Sequence, residues 1–505
     1  MIAKKSPLLV FGQIINSLFG YIGLFFIIRF VGLQAWGFLS FSLAFIGVLS
    51  IVGDLGYGTA HLRFLSSGEY DEGQCNGTFL TVRAVQTFIT VSIVLLSLLV
   101  WLDVLHRGFQ SNVEIYTIIL LLPYFFFNRL KDVPNIYFNS KMKSARMSIP
   151  QITEAIVRNS LFIILGTAYI LKIPGYNTVS AAVIMAIIYS FSYFLYFIIS
   201  FMFGRPWKFN RPSMKLFMAY TKIAYPLALA SIIGSVSGNI DKVLIEFYWH
   251  AVATGAFASL QKITGPITTF SGTISVFFIP LLMRSSDHEK FKGDVSSFER
   301  IISLFILPAV VIFIALRVYV ANLWSAALIP YADILIFLSI SAYLVAINSA
   351  YSSSLVARGL TRRIGEITVV ALIINIVLDL VLIPPSVFGI TFLSLGVLGG
   401  AVSTFMAMLF ETVAYRLIVL RAESMKPNLT IFYQLLPAAA QFIFLYWVTY
   451  YIPVYSIILF LPVAVVSIII FLAFAILIRQ ITLRQVIEFI KALNPFSFRK
   501  AFRNE

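Results

Sequence analysis

Residues 457–478 read Ile-Ile-Leu-Phe-Leu-Pro-Val-Ala-Val-Val-Ser-Ile-Ile-Ile-Phe-Leu-Ala-Phe-Ala-Ile-Leu-Ile, with Ser467 the one polar side chain. A helix needs about 20 apolar residues to cross the hydrocarbon layer of a bilayer. The strands of a membrane barrel alternate apolar and polar residues over about ten positions. This stretch has the length and lacks the alternation, so it reads as a transmembrane helix. The same rule applied outward gives spans near 7–31, 38–61, 78–101, 113–130, 148–171 and 178–203. It gives a second set near 216–240, 251–283, 300–322, 331–356, 366–385, 394–420, 430–451 and 455–478, fourteen in all. Lys4 and Lys5 precede the first run as in a signal peptide, but Leu8 to Val31 is too long for an h-region. It reads as a retained span.

Composition agrees. Of 505 residues, 60% are hydrophobic and 11% charged, with a mean hydropathy of +0.94. Soluble domains carry roughly 25% charged residues, so a water-soluble chain of this size could not cover its surface. Cytosolic enzymes and secreted globular proteins are excluded. Phe (48) and Tyr (24) are abundant, as expected where side chains face lipid and the interface. Cys75 is the single cysteine, which excludes a disulfide framework. The expected class is an all-α polytopic membrane protein.

The net charge of +16 comes from 37 Lys and Arg against 21 Asp and Glu. With both termini placed inside, 28 of the 37 fall in inner segments. Five fall in outer loops (Arg29, Arg107, Lys172, Lys242, Arg317), and four lie within spans: Arg83, Arg158, Lys222 and Lys262. This asymmetry follows the positive-inside rule. It predicts a multi-pass protein of the cell (inner or plasma) membrane with cytoplasmic termini, and turns the excess charge away from nucleic acid. Beyond 480, Leu483, Val486, Ile487, Ile490 and Leu493 share a helical face ahead of Arg499, Lys500 and Arg503. That tail reads as an amphipathic helix on the inner surface.

Ala35-Trp36-Gly37-Phe38 recurs as Ala253-Thr254-Gly255-Ala256, 218 residues later. Six spans per half imply two parallel repeats, the arrangement in which transporters place substrate between bundles. The expected organisation is a six-helix lobe over 1–210, a second over 211–425, two further helices over 426–480 and the basic tail over 481–505.

Gly37-Phe-Leu-Ser-Phe-Ser-Leu-Ala-Phe, then Gly53-Asp54-Leu55-Gly56-Tyr57-Gly58-Thr59-Ala60 and Arg63, resembles the opening of polysaccharide flippases of the O-antigen (Wzx) type. So do Gly238-Asn239-Ile240-Asp241-Lys242 with Gln261-Lys262, Val356-Ala357-Arg358-Gly359, and Asn375 with Ile383-Pro384 and Gly396–Thr404. The matches run in order from about residue 10 to 420. Asp379, where the family more often has Asn, and the long connector Pro385–Leu395 depart from the pattern. The resemblance implies membership of the multidrug/oligosaccharidyl-lipid/polysaccharide exporter superfamily, with two six-helix lobes and two C-terminal helices. It implies transfer of an isoprenoid (pyro)phosphate-linked oligosaccharide from the inner to the outer leaflet. Polysaccharide polymerase or glycosyltransferase partners would accompany that role, alongside the membrane lipids.

Cations inside spans are expensive and therefore functional candidates. Arg158 lies deep in the fifth span, where a guanidinium can grip phosphate through two hydrogen bonds; a local pair with Glu154 is its structural alternative. Lys262 is comparably deep, four residues before Pro266. Arg83 and Lys222 lie closer to inner ends, where snorkelling competes with substrate contact. Arg129 and Lys131 either guide anionic heads or serve topology. Gln13 and Asn16 share a face that could line the cavity. Asp379 and Asp54 are the candidates for coupling to a proton or sodium gradient, with capping the alternative for Asp54. His61, His106, His250 and His288 show no metal-ligand spacing, and no Walker A sequence occurs. No catalytic residue, metal or cofactor is expected. An ion-coupled multidrug or cation antiporter is the alternative transporter. A membrane polymerase or ligase ranks below both, because the outer loops are too short to carry catalytic residues.

Overall fold

A computed structural model describes residues 16–53, 55–104, 109, 111–141, 143–175, 177–204, 208–284, 288–387, 390–391, 393–424, 430–452 and 456–481. Gln13, Asp54 and the tail after Ile481 lie outside these residues. Among the described residues the fold is all-helical apart from one two-residue antiparallel ladder, in which β1 (Ser386–Val387) pairs with β2 (Ile390–Thr391). Among the described residues, eleven helices are long and apolar enough to cross a membrane.

The chain forms two compact units, the first reaching Gly255 and the second beginning at Ala256. The first contains α1 (Asn16–Val31), α2 (Leu33–Leu49), α3 (Tyr57–Ser67), α4 (Glu72–Leu99), α5 (Asn112–Leu130) and α6 (Asp132–Ser140). It continues through α7 (Ser144–Ile170), α8 (Thr178–Phe203), α9 (Met214–Ser237) and the first part of α10 (Ile240–Arg284). The rest of α10 opens the second unit. There α11 (His288–Ala315), α12 (Arg317–Trp324), α13 (Ile334–Ala357) and α14 (Thr361–Leu382) are followed by α15 (Val397–Ala422), α16 (Thr430–Tyr433), α17 (Leu435–Tyr451) and α18 (Ile457–Leu477).

Helix starts follow local chemistry. The Asp71 carboxylate accepts from Gln74 N at 3.0 Å to open α4, and Ser111 with Glu114 makes a capping box on α5. Asn177 with Ser180 does the same for α8. Each satisfies amide groups that the first turn leaves without partners.

The second expected span, 38–61, is corrected. Helix α2 stops at Leu49, a 3₁₀ turn covers Ser50–Val52, and Gly56 takes a left-handed backbone (φ 81°) before α3. Hydrophobicity continues through this stretch, but the Gly-rich sequence lets the chain turn. Helix α3 is an 11-residue helix outside the spans, burying Ala60, His61, Phe64 and Leu65 against α4, α6 and α9. By contrast α7, with 27 residues, is long enough to cross, although Glu154, Arg158 and Asn159 dilute its hydrophobicity.

Candidate functional site

Within the first unit, polar side chains of five helices join into one seam. It starts at Arg83, which the backbone of α4 places inside the bundle with 2% of its side chain exposed. Arg83 Nη1 donates to Gly53 O at 2.8 Å and to Gln86 Oε1 at 3.3 Å. Its Nη2 pairs with Asp132 at 3.3 Å, and the guanidinium stacks over Phe79. Snorkelling therefore does not describe Arg83. Its planar fork ties α4 to the α2–α3 turn and to α6, which an ammonium could not do with the same geometry.

Asp132 also receives Lys131 Nζ at 3.2 Å, and Lys131 lies over the ring of Tyr196. Asn135 donates to the Tyr196 hydroxyl at 2.9 Å. Tyr189, Tyr193 and Tyr196 follow an i, i+4, i+7 spacing on α8, so they occupy one face. Tyr124 of α5 packs edge-on against Tyr193 (4.6 Å) and Tyr189 (5.6 Å). The seam ends on α7, where Arg158 stacks over Tyr189, donates to its hydroxyl at 3.1 Å and pairs with Glu154 at 2.7 Å.

The local pair expected as the structural alternative for Arg158 thus forms. It leaves Arg158 17% exposed. Among the described residues, three cations (Arg83, Lys131, Arg158) face the carboxylates of Asp132 and Glu154. Such an array can hold an anion by charge-assisted hydrogen bonds and present ring faces to a second polar group beside it.

Beside the seam, α4 and α9 enclose an apolar groove of about 490 Å³, lined among others by Val52, Tyr57, Val85, Ile89 and Phe217. Gln86, the acceptor of Arg83, lies in its wall.

The other expected residues lie elsewhere. Lys222 is exposed on α9, and Asn16 is half-buried on α1. Lys262 is exposed on the part of α10 that belongs to the second unit. Asp379 is fully buried on α14. The Ser403 hydroxyl donates to it, and Asn375 donates to that hydroxyl at 3.4 Å. This polar knot binds α14 to α15.

Sequence reasoning missed the tyrosines and Asp132. The Tyr189-x3-Tyr193-x2-Tyr196 spacing was a usable signal, hidden by the general abundance of aromatics. Asp132 carried none, because only the folded chain brings it to Arg83.

Residues 2–286 match the profile of a family described as polysaccharide biosynthesis protein. Among solved structures the chain is similar to the lipid II flippase MurJ in an inward closed conformation. The TM-score is 0.70 at 17% identity, over 93% of this chain and 100% of that one. It is also similar to a multidrug resistance MATE family transporter of the MOP superfamily in its inward-facing conformation. There the TM-score is 0.62 at 16% identity, over 82% and 96% of the two chains. The outward-facing conformation of a MATE transporter gives 0.53 at 16% identity, over 84% and 95%. At these identities the likeness establishes the fold. No curated protein matches the sequence.

Proposed function

The chain belongs to the polysaccharide biosynthesis protein family, and from that premise we propose that it flips an isoprenoid-linked oligosaccharide, a polysaccharide repeat unit, from the inner to the outer leaflet by alternating access. The observation that carries this reading is the seam from Arg83 through the tyrosines to Arg158. A lipid-linked sugar brings a phosphate or pyrophosphate and a row of hydroxylated rings through hydrocarbon. The part-exposed Arg158 guanidinium supplies donors for the phosphate, and the tyrosines supply faces and hydroxyls for sugar. The apolar groove beside Gln86 suits part of an isoprenoid chain. Cations held this deep in a membrane protein are costly to keep and point to cargo of opposite charge. Lys262 and Lys222 add positive charge elsewhere on the chain, and Asn16 a polar group on α1.

The test is a reconstituted vesicle assay in which a labelled isoprenoid-pyrophosphate oligosaccharide becomes accessible to an external sugar-modifying reagent. Wild-type protein moves the label across. Arg158→Gln lowers the initial rate at least tenfold while Tyr189→Phe, which keeps the ring, lowers it less. Wild-type transport by an Arg158→Ala, Lys262→Ala double variant overturns the assignment of the site.

A second reading, ion-coupled export of cationic compounds, is favoured by the buried carboxyls Glu246 and Asp379. Efflux of a cationic dye down an opposing sodium or proton gradient, without movement of the glycolipid, would select it.

A further inference from the structure

Ahead of α9, residues 208–213 lie as a strap along the first turns of α4. Asn210 N donates to Gly73 O at 2.9 Å, and Asn210 Nδ2 donates to the Asp71 carboxylate at 2.7 Å. Asn76 Nδ2 donates to Lys208 O at 3.2 Å, and Ser213 N to Thr78 Oγ1 at 3.0 Å. A Cβ on Gly77 would overlap Asn210 O, so a glycine makes the notch in which the strap sits. The strap carries Lys208 and Arg211, and Lys215 follows in the first turn of α9; all three are exposed. Lys208 acts on Glu72, which pairs with Lys141 at 2.8 Å. Among the described residues Arg211 and Lys215 make no ion pair or hydrogen bond.

The end of this strap is also a wall of the apolar groove of about 490 Å³. Pro212, Ser213 and Met214 line it on one side, and Val85, Gln86 and Ile89 on the side of α4. Val85 and Met214 are more than half exposed, so the groove is open. Its volume is that of a pocket for one small ligand or chain, roughly 300–1,000 Å³. Gln86 is 5% exposed, and its Oε1 accepts from Arg83. Arginine is a donor only, which fixes the orientation of the Gln86 amide. The Gln86 Nε2 meets no acceptor among the described residues. A buried donor left this way is costly, so an acceptor on whatever fills the groove is held there. Gln86 follows Thr78 by eight residues, about 12 Å of helix, and helix side chains lean toward the N-terminus. The amide is therefore drawn back toward the strap.

We propose that strap and groove together bind one anionic, ester-linked phospholipid. Its phosphate lies against Arg211 and Lys215, a glycerol ester carbonyl accepts from Gln86 Nε2, and one acyl chain runs along Val85 and Ile89. Basic side chains at a membrane surface attract anionic headgroups, and the groove removes the chain's apolar surface from water. The group between head and chain decides the occupant. An isoprenyl phosphate has hydrocarbon directly after its phosphate and offers Gln86 nothing. An ester-linked phospholipid carries carbonyls at that place. The phospholipid is thus the occupant in the absence of cargo, and a cargo chain would enter the groove in exchange for it. The site stands on these residues and not on the transport reading.

The experiment uses full-length protein, delipidated in a neutral detergent, and titrates it with phosphatidylglycerol labelled at the end of one chain. Unlabelled phosphatidylcholine, diether phosphatidylglycerol and isoprenyl phosphate serve as competitors. Phosphatidylglycerol saturates the wild type, and phosphatidylcholine competes at least tenfold more weakly. The Arg211→Gln, Lys215→Gln double variant, altered only at exposed side chains, weakens phosphatidylglycerol binding at least tenfold. The diether analogue, which lacks the carbonyls, binds the wild type at least threefold more weakly than the diester, and Gln86→Leu removes that difference. Where Gln86→Leu does not fold, the diester and diether lipids on the wild type decide the point. Equal binding of phosphatidylglycerol and phosphatidylcholine, of diester and diether, or of wild type and double variant overturns the proposal. Isoprenyl phosphate bound more tightly than phosphatidylglycerol assigns the groove to the cargo and also overturns it. Because the measurement contains no glycolipid, failure to flip a lipid-linked sugar leaves the site standing, and its own failure leaves the flippase reading intact.

Discussion

Gly37 and Gly255 pack backbone against backbone. A Cβ on Gly37 would overlap the carbonyl oxygen of Ala251, and one on Gly255 would overlap that of Leu33 and lie 3.1 Å from Gly37 N. The two glycines that mark the 218-residue repeat in the sequence are thus the residues at which α2 crosses α10. Small residues allow such close approach between membrane helices. Gly37→Ala and Gly255→Ala each force the backbones apart, at a cost of about 1–3 kcal/mol. The expected result is a lowered thermal midpoint for each variant in detergent. Unchanged midpoints would contradict the crossing.

His61 gives a pH signature. Its ring stacks on Phe79 at 4.1 Å, and its Nδ1 lies 2.9 Å from the Tyr220 hydroxyl. Tyr220 gives its proton to Cys75 O, which assigns the ring proton to Nδ1 and leaves Nε2 unpartnered. Burial first, and the Arg83 charge second, push His61 down to about 3. The unfolded chain titrates near 6.5, so below that pH it binds a proton that the folded chain refuses. Stability is complete above about pH 6.5 and falls as pH drops toward 3, by at most about 1.4 kcal/mol per unit. In His61→Gln, thermal midpoints between pH 6.5 and 4 should fall less steeply than in wild type.

Arg83 should act on stability. Removing one member of a buried ion pair costs about 3–5 kcal/mol, and Arg83 also holds Gly53 O and Gln86. Arg83→Met should lower the yield of folded protein and its thermal midpoint. Arg83→Lys should restore little, because a single ammonium cannot span Asp132 and Gly53 together. A fully stable Arg83→Lys would show that the fork geometry is dispensable.

In the second unit, Gln441 Nε2 lies 3.1 Å from both Pro308 O and Ser467 Oγ, linking α17 to α11 and α18. Hydrogen bonds between membrane helices are worth about 0.6 kcal/mol each, and at most about 1.7. Gln441→Leu should therefore destabilise modestly, by about 1 kcal/mol, and Ser467→Ala by less. Measured unfolding in mixed micelles checks the order of the two.

Long apolar runs such as 457–478 gave away the helical membrane fold, because their length answers to the bilayer alone. Turns were harder. The break between α2 and α3 lies inside a continuous hydrophobic stretch, where Gly53 and Gly56 were legible as glycines but not as a stop. Of the candidate cations, Arg158 could be placed within its span and next to Glu154 by counting residues. Its tyrosine partners could not, since they come from α5 and α8.

By itself the sequence determined the class of the protein: helical, multi-pass, of the polysaccharide biosynthesis family, with few charges and most of the positive ones in loops. These properties depend on composition, local periodicity and short motifs, which need no knowledge of distant contacts. Only the tertiary structure decided what each buried charge does. Arg83 became a strut once α6 brought Asp132 to it, and Arg158 joined a tyrosine face. In low-dielectric surroundings a charge takes its meaning from neighbours within a few ångströms, and those neighbours are set by helix packing.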